Sequence, residues 1–561
     1  MDETYIRRFY LGGFLILLGV LFFYQVLRGG YFFDRAENNY VRVIPLRSLR
    51  GDIFDRNSKL LTSDIPSYNL AVIPYQIKKN KDAILAQIAT GLKQPPRTVE
   101  RAYRRRFRNM FSPVDIAVDL KKTDILELKE RLKNLVVINP QPQRHYYYPY
   151  VNSHLLGYVK EAASFYEELK KYGYSPLERV GFMGVEQYYD SYLRGEDGGN
   201  LIEVNARGRI VGFLGQRQPT KGKDIYLTID ARMQEIAYAV LEGRRGALVL
   251  MDSETGEILA FVSSPGFDAN NFTKGKDLDA FFHDTNKPLL NRITQARYPL
   301  GSTFKPVVAL AALEMRKITP ATSFVCKGSL SVGGAEFRCL GNHGSENMYA
   351  ALMHSCNVYF YNVGKITGAD AISRYARIVG LASMSGIDIP YEKKGSVPEP
   401  GKIPRSWFMG DTINLSIGQG YLESTPLSAL IAMNVFASGG YLVKPHLLKS
   451  VAGIEVSAPT KTNLTLSASS LEAITQGLVD AVEKQEGTAH PLADLNLKIA
   501  GKTGTAQTRG AAHGWFLGFF PYNQPRYTIC VFMENAGSSH EAVKVTHVFL
   551  KALQEEKKFK E

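Results

Sequence analysis

Phe9 to Leu27 reads FYLGGFLILLGVLFFYQVL, an uncharged run of nineteen residues. A helix rises ~1.5 Å per residue, so such a run nearly crosses a ~30 Å hydrocarbon core. Arg7 and Arg8 precede it, Arg28 follows it, and aromatic side chains stand at both ends, as at membrane–water interfaces. A cleaved signal peptide has a shorter apolar region and a small-x-small site. Gln25-Val26-Leu27-Arg28 offers no such site, so an uncleaved anchor is expected. No later segment is apolar for long enough to span again. Arg35 and Arg42 also lie downstream, so flanking charge sets the orientation poorly and the chemistry must decide it.

The chain has 561 residues, beyond the ~250–300 at which single cores split into domains. With 45% hydrophobic and 22% charged residues, widespread disorder is excluded. Lysine and arginine outnumber acids by 68 to 54, a net charge of +14. That excess suits an anionic partner or a generally basic surface. The densest basic run, Arg101 to Arg108, holds Tyr103 and Phe107 but lacks a surrounding nucleic-acid-binding motif, and no nucleic-acid partner is expected. Four cysteines are too few for a disulfide scaffold.

Residues 58–215 mix strand-like pieces, such as Tyr68 to Ile73, with charged helical runs, such as Asp124 to Leu132. They hold no nucleophile-and-base arrangement, which leaves spacing and docking as their task. A second composition begins near Lys221. Asp224 to Asp230 reads as a strand and Arg232 to Leu241 as a helix; Gly246 to Asp252 and Glu257 to Ser263 flank a hairpin signal, Ser253-Glu254-Thr255-Gly256. Residues 300–490 read as mainly helical. Strand patterns return at Leu497 to Ala506, Trp515 to Phe520 and Tyr527 to Met533, before an amphipathic helix from Glu541 to Leu553. This order predicts an α+β unit, one antiparallel sheet with helices packed around it.

Three short motifs carry chemistry. Ser302-Thr303-Phe304-Lys305 opens a helical run and puts serine and lysine one turn apart on one face. Serine needs an adjacent base, and lysine is one only when desolvation or another cation lowers its pKa. Taken alone, the serine reads better as a surface cap. Ser355-Cys356-Asn357 supplies a hydroxyl and an amide. Lys502-Thr503-Gly504, followed by Thr505, places a cation and hydroxyls on a strand where glycine permits another backbone to approach.

In this order and on these elements, the set is similar to the signature of penicillin-binding proteins and class A β-lactamases. Arg50-Gly51-Asp52-Ile53-Phe54-Asp55-Arg56, His154 to Val159, Gly184-Val185-Glu186 with Tyr189-Asp190 and Leu193-Arg194-Gly195 resemble the post-anchor and pedestal motifs of the class B members. Tyr298-Pro299-Leu300-Gly301 and Ile417-Gly418-Gln419-Gly420 resemble their transpeptidase domain. Phe337-Arg338-Cys339, His343-Gly344 and Ser355 to Tyr361 resemble the elongation-specific members, with the division-specific ones as runner-up.

The resemblance implies a penicillin-binding/serine β-lactamase-like transpeptidase domain, an antiparallel sheet plus helical subdomain, on an elongated α+β pedestal with one N-terminal transmembrane helix. Its boundaries are a cytoplasmic tail at 1–8, an anchor at 9–27, a pedestal at 28–220 and a transpeptidase domain at 221–561. It implies a serine-type D-Ala-D-Ala transpeptidase on the extracytoplasmic side of the inner membrane. Ser302 would be the nucleophile and Lys305 its base; Ser355 and Lys502 would pass a proton to the leaving amine. Asn357 would bind the peptide and orient Lys305, while Thr503, Gly504 and Thr505 would hold the substrate. The implied partners are peptidoglycan stem peptides, β-lactams, a membrane glycosyltransferase of the SEDS family and elongation-complex proteins. A membrane-bound β-lactamase or sensor, and a non-enzymatic activator of a glycosyltransferase, are the competing readings.

No cofactor is needed for that chemistry. Cys326, Cys339, His343 and Cys356 nevertheless form a Cys₃His set, a common zinc type. A Cys326–Cys339 disulfide, worth about 3 kcal/mol, and an ordinary buried Cys356 thiol are the rivals. Structural zinc is favoured because Cys356 and His343 are both present. Cys530, on a late strand, is expected in the core.

Overall fold

The computed structural model describes residues 3–33, 41–107, 110, 113–120, 125, 128–130, 132, 136–162, 166–174, 178–204, 210–274, 278–402, 406–456 and 460–558. The helical run expected at Asp124 to Leu132 lies partly outside them. The chain divides into two compact units.

The first unit takes Met1–Arg50, Asp64–Gln143 and Arg194–Gly222. It begins with the helix Glu3–Phe22, which continues through Phe23–Leu27, and none of those side chains is buried. Among the described residues this is the one helix long and apolar enough to cross a membrane. The strands Val41–Leu46, Gly198–Val204 and Ile210–Arg217 pair into an antiparallel sheet. Arg101 to Arg106 of the basic run lie on the helix Pro96–Arg106, which buries Val99 and Tyr103 among Leu70, Ile88 and Val114 and leaves these arginines outward. The arginine spacing therefore describes the polar side of an amphipathic helix.

The second unit takes Gly51–Ser63, Arg144–Leu193 and Lys223–Glu561. A single cut near residue 220 therefore does not separate the compact units. Asp55 shows why: its carboxylate accepts from Asn57 N (2.8 Å), Lys59 N (2.7 Å) and Ala231 N (3.0 Å), tying the post-anchor motif to the start of the helix Ala231–Leu241, here α1. Arg56 adds an ion pair to Glu257 at 3.0 Å.

β1 (Gly246–Asp252) and β2 (Ile258–Ser264) follow as expected. The insert then contributes α2 (Lys305–Glu314), α3 (Met348–Met353), α4 (Asn357–Thr367), α5 (Ala369–Ile378), α6 (Met409–Ser416), α7 (Pro426–Ala437) and α8 (Ala468–Glu483). β3 (Ala500–Ala506), β4 (His513–Phe520), β5 (Tyr527–Met533) and α9 (His540–Glu555) complete the unit. The sheet is antiparallel throughout, in the order β2-β1-β5-β4-β3.

Both faces of this sheet are covered, so its strands are nearly continuous apolar runs. Along β1 the pleat sends Leu248 and Leu250 toward α1 and α9, while Ala247, Val249 and Met251 join the core of the insert. Every residue of α7 is buried within that core. The insert is less helical than its composition predicts. It also holds paired strands at Phe324–Cys326 with Gly344–Glu346, Ser329–Val332 with Ala335–Arg338, and Tyr441–Val443 with Lys461–Asn463. Gly333-Gly334, at φ +59 and +81, is the hairpin turn that reading composition alone overlooks.

Candidate active site

Ser302 lies in the short 3₁₀ turn Gly301–Phe304 that runs directly into α2. Two glycines let this turn sit against the sheet edge. A Cβ on Gly504 would lie 2.8 Å from Thr303 Cγ2 and 2.9 Å from Leu300 O, so β3 can press on the serine turn only without a side chain there. Gly301, at φ +56, donates its N–H to Gly418 O at 2.9 Å, which gives the Ile417–Gly420 motif its place. Trp515 Nε1 holds the approach to the turn by donating to Pro299 O at 3.1 Å.

Lys305 is fully buried. Its ammonium donates to Ser355 O at 2.6 Å, Asn357 Oδ1 at 2.7 Å and Ser355 Oγ at 3.2 Å. Ser355 can offer both oxygens because it sits at φ +58 between α3 and α4, a left-handed conformation unusual for serine. Burial pulls the Lys305 ammonium down to about 7, opposed by the nearby Cys339 and Cys356 sulfurs. Asn357 opens α4; its Nδ2 donates to Arg338 O at 3.3 Å and its backbone N–H to Cys339 Sγ at 3.1 Å.

From the sheet side, Lys502 is also fully buried and donates to Thr503 O at 3.2 Å. Burial first, then the charge of Lys305, holds its ammonium well below the usual range. Thr505 Oγ1 accepts from Ser539 N at 3.1 Å, which leaves its own proton to give. Thr503 Oγ1 instead donates to Thr488 Oγ1 at 2.8 Å, a partner that no motif in the sequence marks. Arg338 O, the acceptor for both Asn357 Nδ2 and Tyr361 OH, was likewise invisible, because backbone acceptors leave no trace in residue identity.

Beside the Ser355–Asn357 loop, Cys326, Cys339, His343 and Cys356 bring one ligand atom each to within 4.8 Å of one another. All four of the chain's cysteines are free thiols. A tetrahedral ion with ~2.3 Å bonds to sulfur and ~2.05 Å to nitrogen has S···S and S···N edges of about 3.8 and 3.6 Å. Here Cys339 Sγ lies 3.8 Å from Cys356 Sγ, and His343 Nδ1 lies 3.5 Å from both Cys326 Sγ and Cys339 Sγ. The donor set fits zinc. Hydrogen bonds from Cys356 and from backbone N–H groups hold the Cys339 thiol well below the ordinary thiol range, in the form that binds a metal. Cys530 is buried in β5, as expected.

The site combines a serine on a helix start, a buried lysine with a depressed pKa, a second buried lysine and an edge strand carrying threonines. The family model of the penicillin binding protein transpeptidase domain matches residues 246–554. The chain belongs to this family. A second family model, the penicillin-binding protein dimerisation domain, matches residues 45–227. The peptidoglycan D,D-transpeptidase MrdA of Haemophilus influenzae is 31% identical, over 94% of this chain and 87% of its own length. Penicillin-binding protein 2 of Helicobacter pylori, solved in complex with MreC, superimposes with a TM-score of 0.84 at 27% identity, covering 92% of this chain and 100% of its own. A chain from a peptidoglycan synthase complex, studied for its coordination of polymerization and crosslinking, gives a TM-score of 0.72 at 27% identity over 98% of both chains.

Proposed function

We propose that this protein is a peptidoglycan D,D-transpeptidase of the elongation-specific kind, a class B penicillin-binding protein and a target of β-lactams. The observation that carries the mechanism is the buried Lys305 ammonium, held by Ser355 and Asn357 yet lowered to about 7. A lysine so poised takes the Ser302 proton near neutral pH. Ser302 attacks the carbonyl of the penultimate D-alanine of a donor stem peptide. Ser355 and Lys502 deliver a proton to the departing D-alanine amine, and an amine of a neighbouring stem peptide resolves the ester. The N–H groups of Ser302 and Thr505 receive the oxyanion, where loss of one donor costs about 2.7–4 kcal/mol. Thr505 binds the terminal carboxylate, with Thr503 beside it and Gly504 admitting the peptide backbone. A β-lactam enters as the donor and stays as a slowly hydrolysed ester.

The helix Glu3–Leu27 serves as a single-pass anchor, with the catalytic unit on the extracytoplasmic side where the wall is built. An MreC-like protein is proposed as a partner, in keeping with the complex of the similar Helicobacter pylori chain, and a SEDS-family glycosyltransferase is proposed beside it. Zinc is proposed on Cys326, Cys339, His343 and Cys356; a closed four-ligand site of this kind supplies structural bracing, here of the loop that holds Lys305.

Intact-mass spectrometry with benzylpenicillin tests the reading. Wild-type protein gains one lasting penicillin adduct, and Ser302→Ala gains none. Rapid penicillin turnover without a lasting adduct would establish a β-lactamase instead. Absence of any reaction in folded protein would leave only the activator reading.

A further inference from the structure

We propose that Thr488 is a substrate-binding residue, whose hydroxyl accepts from Thr503 and donates its own proton to the terminal carboxylate of the donor peptide. This deepens the transpeptidase reading and rests on it. β3 carries two threonines, and their hydroxyls are wired in opposite senses. Thr505 Oγ1 accepts from Ser539 N at 3.1 Å, so its proton stays free. Thr503 Oγ1 donates to Thr488 Oγ1 at 2.8 Å, so its proton is already engaged. A carboxylate only accepts, and it needs a proton from each partner. Thr503 can supply one only by leaving Thr488.

The chain of hydrogen bonds ends on Thr488. Its hydroxyl proton has no acceptor among the described residues, and the residue is half-buried rather than enclosed. A hydroxyl that already accepts a hydrogen bond is a stronger donor, because each bond in such a chain polarises the next. Thr503 thereby prepares Thr488 to bind an anion. The pleat turns Lys502 and Gly504 the other way, toward the serine turn and Lys305.

The backbone fixes Thr488 independently of its hydroxyl. Its N–H donates to Met353 O at 3.4 Å, at the end of α3 and just ahead of Ser355. Ala489 N donates to Ala481 O at 2.9 Å, in the last turn of α8. Gly487 permits this turn, since a Cβ there would lie 2.4 Å from Ala481 O. Thr488 is therefore presented to β3 by a turn anchored both on α8 and on the segment that leads to the acceptors of Lys305.

The test uses the full chain in detergent and compares wild type with Thr488→Val, which keeps the shape and removes the hydroxyl, and Thr488→Ser, which keeps the hydroxyl. Benzylpenicillin carries a carboxylate where the donor peptide has its terminal one, and its methyl ester does not. Acylation of Ser302 by each compound is followed by intact mass across a range of concentrations. With the acid, Thr488→Val is expected to acylate about ten- to a hundredfold less efficiently, the loss of one hydrogen bond to a charged group, through weaker binding rather than a slower covalent step. Its reaction with the ester is unchanged, and Thr488→Ser retains the preference for the acid. The same preference in wild type and Thr488→Val overturns the proposal. An equal fall with acid and ester also overturns it, by giving Thr488 a structural role. Thr488→Ala carries the same expectations if the valine variant does not fold. Wild-type protein that takes up neither compound at Ser302 overturns the transpeptidase reading itself, so the two failures stay distinct.

Discussion

Lys305 Nζ lies 2.7 Å from Asn357 Oδ1. With the two oxygens of Ser355, this gives an ammonium group as many acceptors as it has protons. Burial acts in the opposite direction and brings the group down to about 7. The acceptors fix where the nitrogen sits, and the low-dielectric surroundings let its proton leave.

Acylation of Ser302 should rise with pH through about 7 and level off above it, because the neutral lysine is the base. Linkage has the same origin. Between about 7 and the ordinary 10.5, the unfolded chain binds a proton at this residue that the folded chain does not. The contribution of Lys305 therefore makes stability increase with pH across that window. Penicillin acylation rates measured across this range check the first point, and a flat profile would exclude Lys305 as the titrating base.

Asn357→Asp should separate orientation from charge. A carboxylate at Oδ1 favours the ammonium and moves the acid limb of the acylation profile up by about 1–3 units. Activity lost at neutral pH returns in more alkaline buffer, whereas Asn357→Ala, which removes the acceptor, shows no such recovery.

Lys502→Met should lower acylation by about 10²–10⁴ while leaving the melting temperature unchanged or raised. Lys502 is fully buried and its ammonium is held well below the usual range, so function sustains it at the expense of stability. A melting temperature that falls by more than a few degrees would give Lys502 a structural role instead.

Metal removal should be visible without any activity assay. The purified protein is expected to carry about one zinc per chain, and a chelator or Cys326→Ser should lower the melting temperature. Metal-free protein that melts identically with and without added zinc would end that reading.

Arg144 and Glu186 form an ion pair at 2.6 Å with no exposed side-chain surface on either partner. Glu186→Leu alone should cost about 3–5 kcal/mol, because it strands a buried charge, and adding Arg144→Met should recover most of the loss. Urea denaturation of the single and double variants measures the coupling; equal losses in both would contradict it.

Much of this protein was legible in its sequence. The anchor is written in the uncharged run Phe9 to Leu27, because crossing a bilayer is a matter of local composition and length. The strands β1 and β5 are apolar runs bounded by turn signals and were placed at Gly246–Asp252 and Tyr527–Met533, where they occur. Ser302, Lys305, Ser355, Asn357 and Lys502 stand out only as an ordered set on a helix start, a loop and a strand, which resembles a family signature; each short motif alone is weak.

Other features depended on tertiary packing. The hairpins of the insert pair residues whose alanine- and leucine-rich surroundings read as helix. The hydroxyl of Thr503 meets Thr488, and Asp55 caps a helix that begins at Ala231, across separations for which no local pattern exists. The sulfurs of Cys339 and Cys356 come within 3.8 Å because the Ser329–Arg338 hairpin ends against the start of α4. Sequence determined which groups this chain owns and which elements carry them. Only packing decided which groups meet, because contact distance and desolvation arise between segments far apart along the backbone.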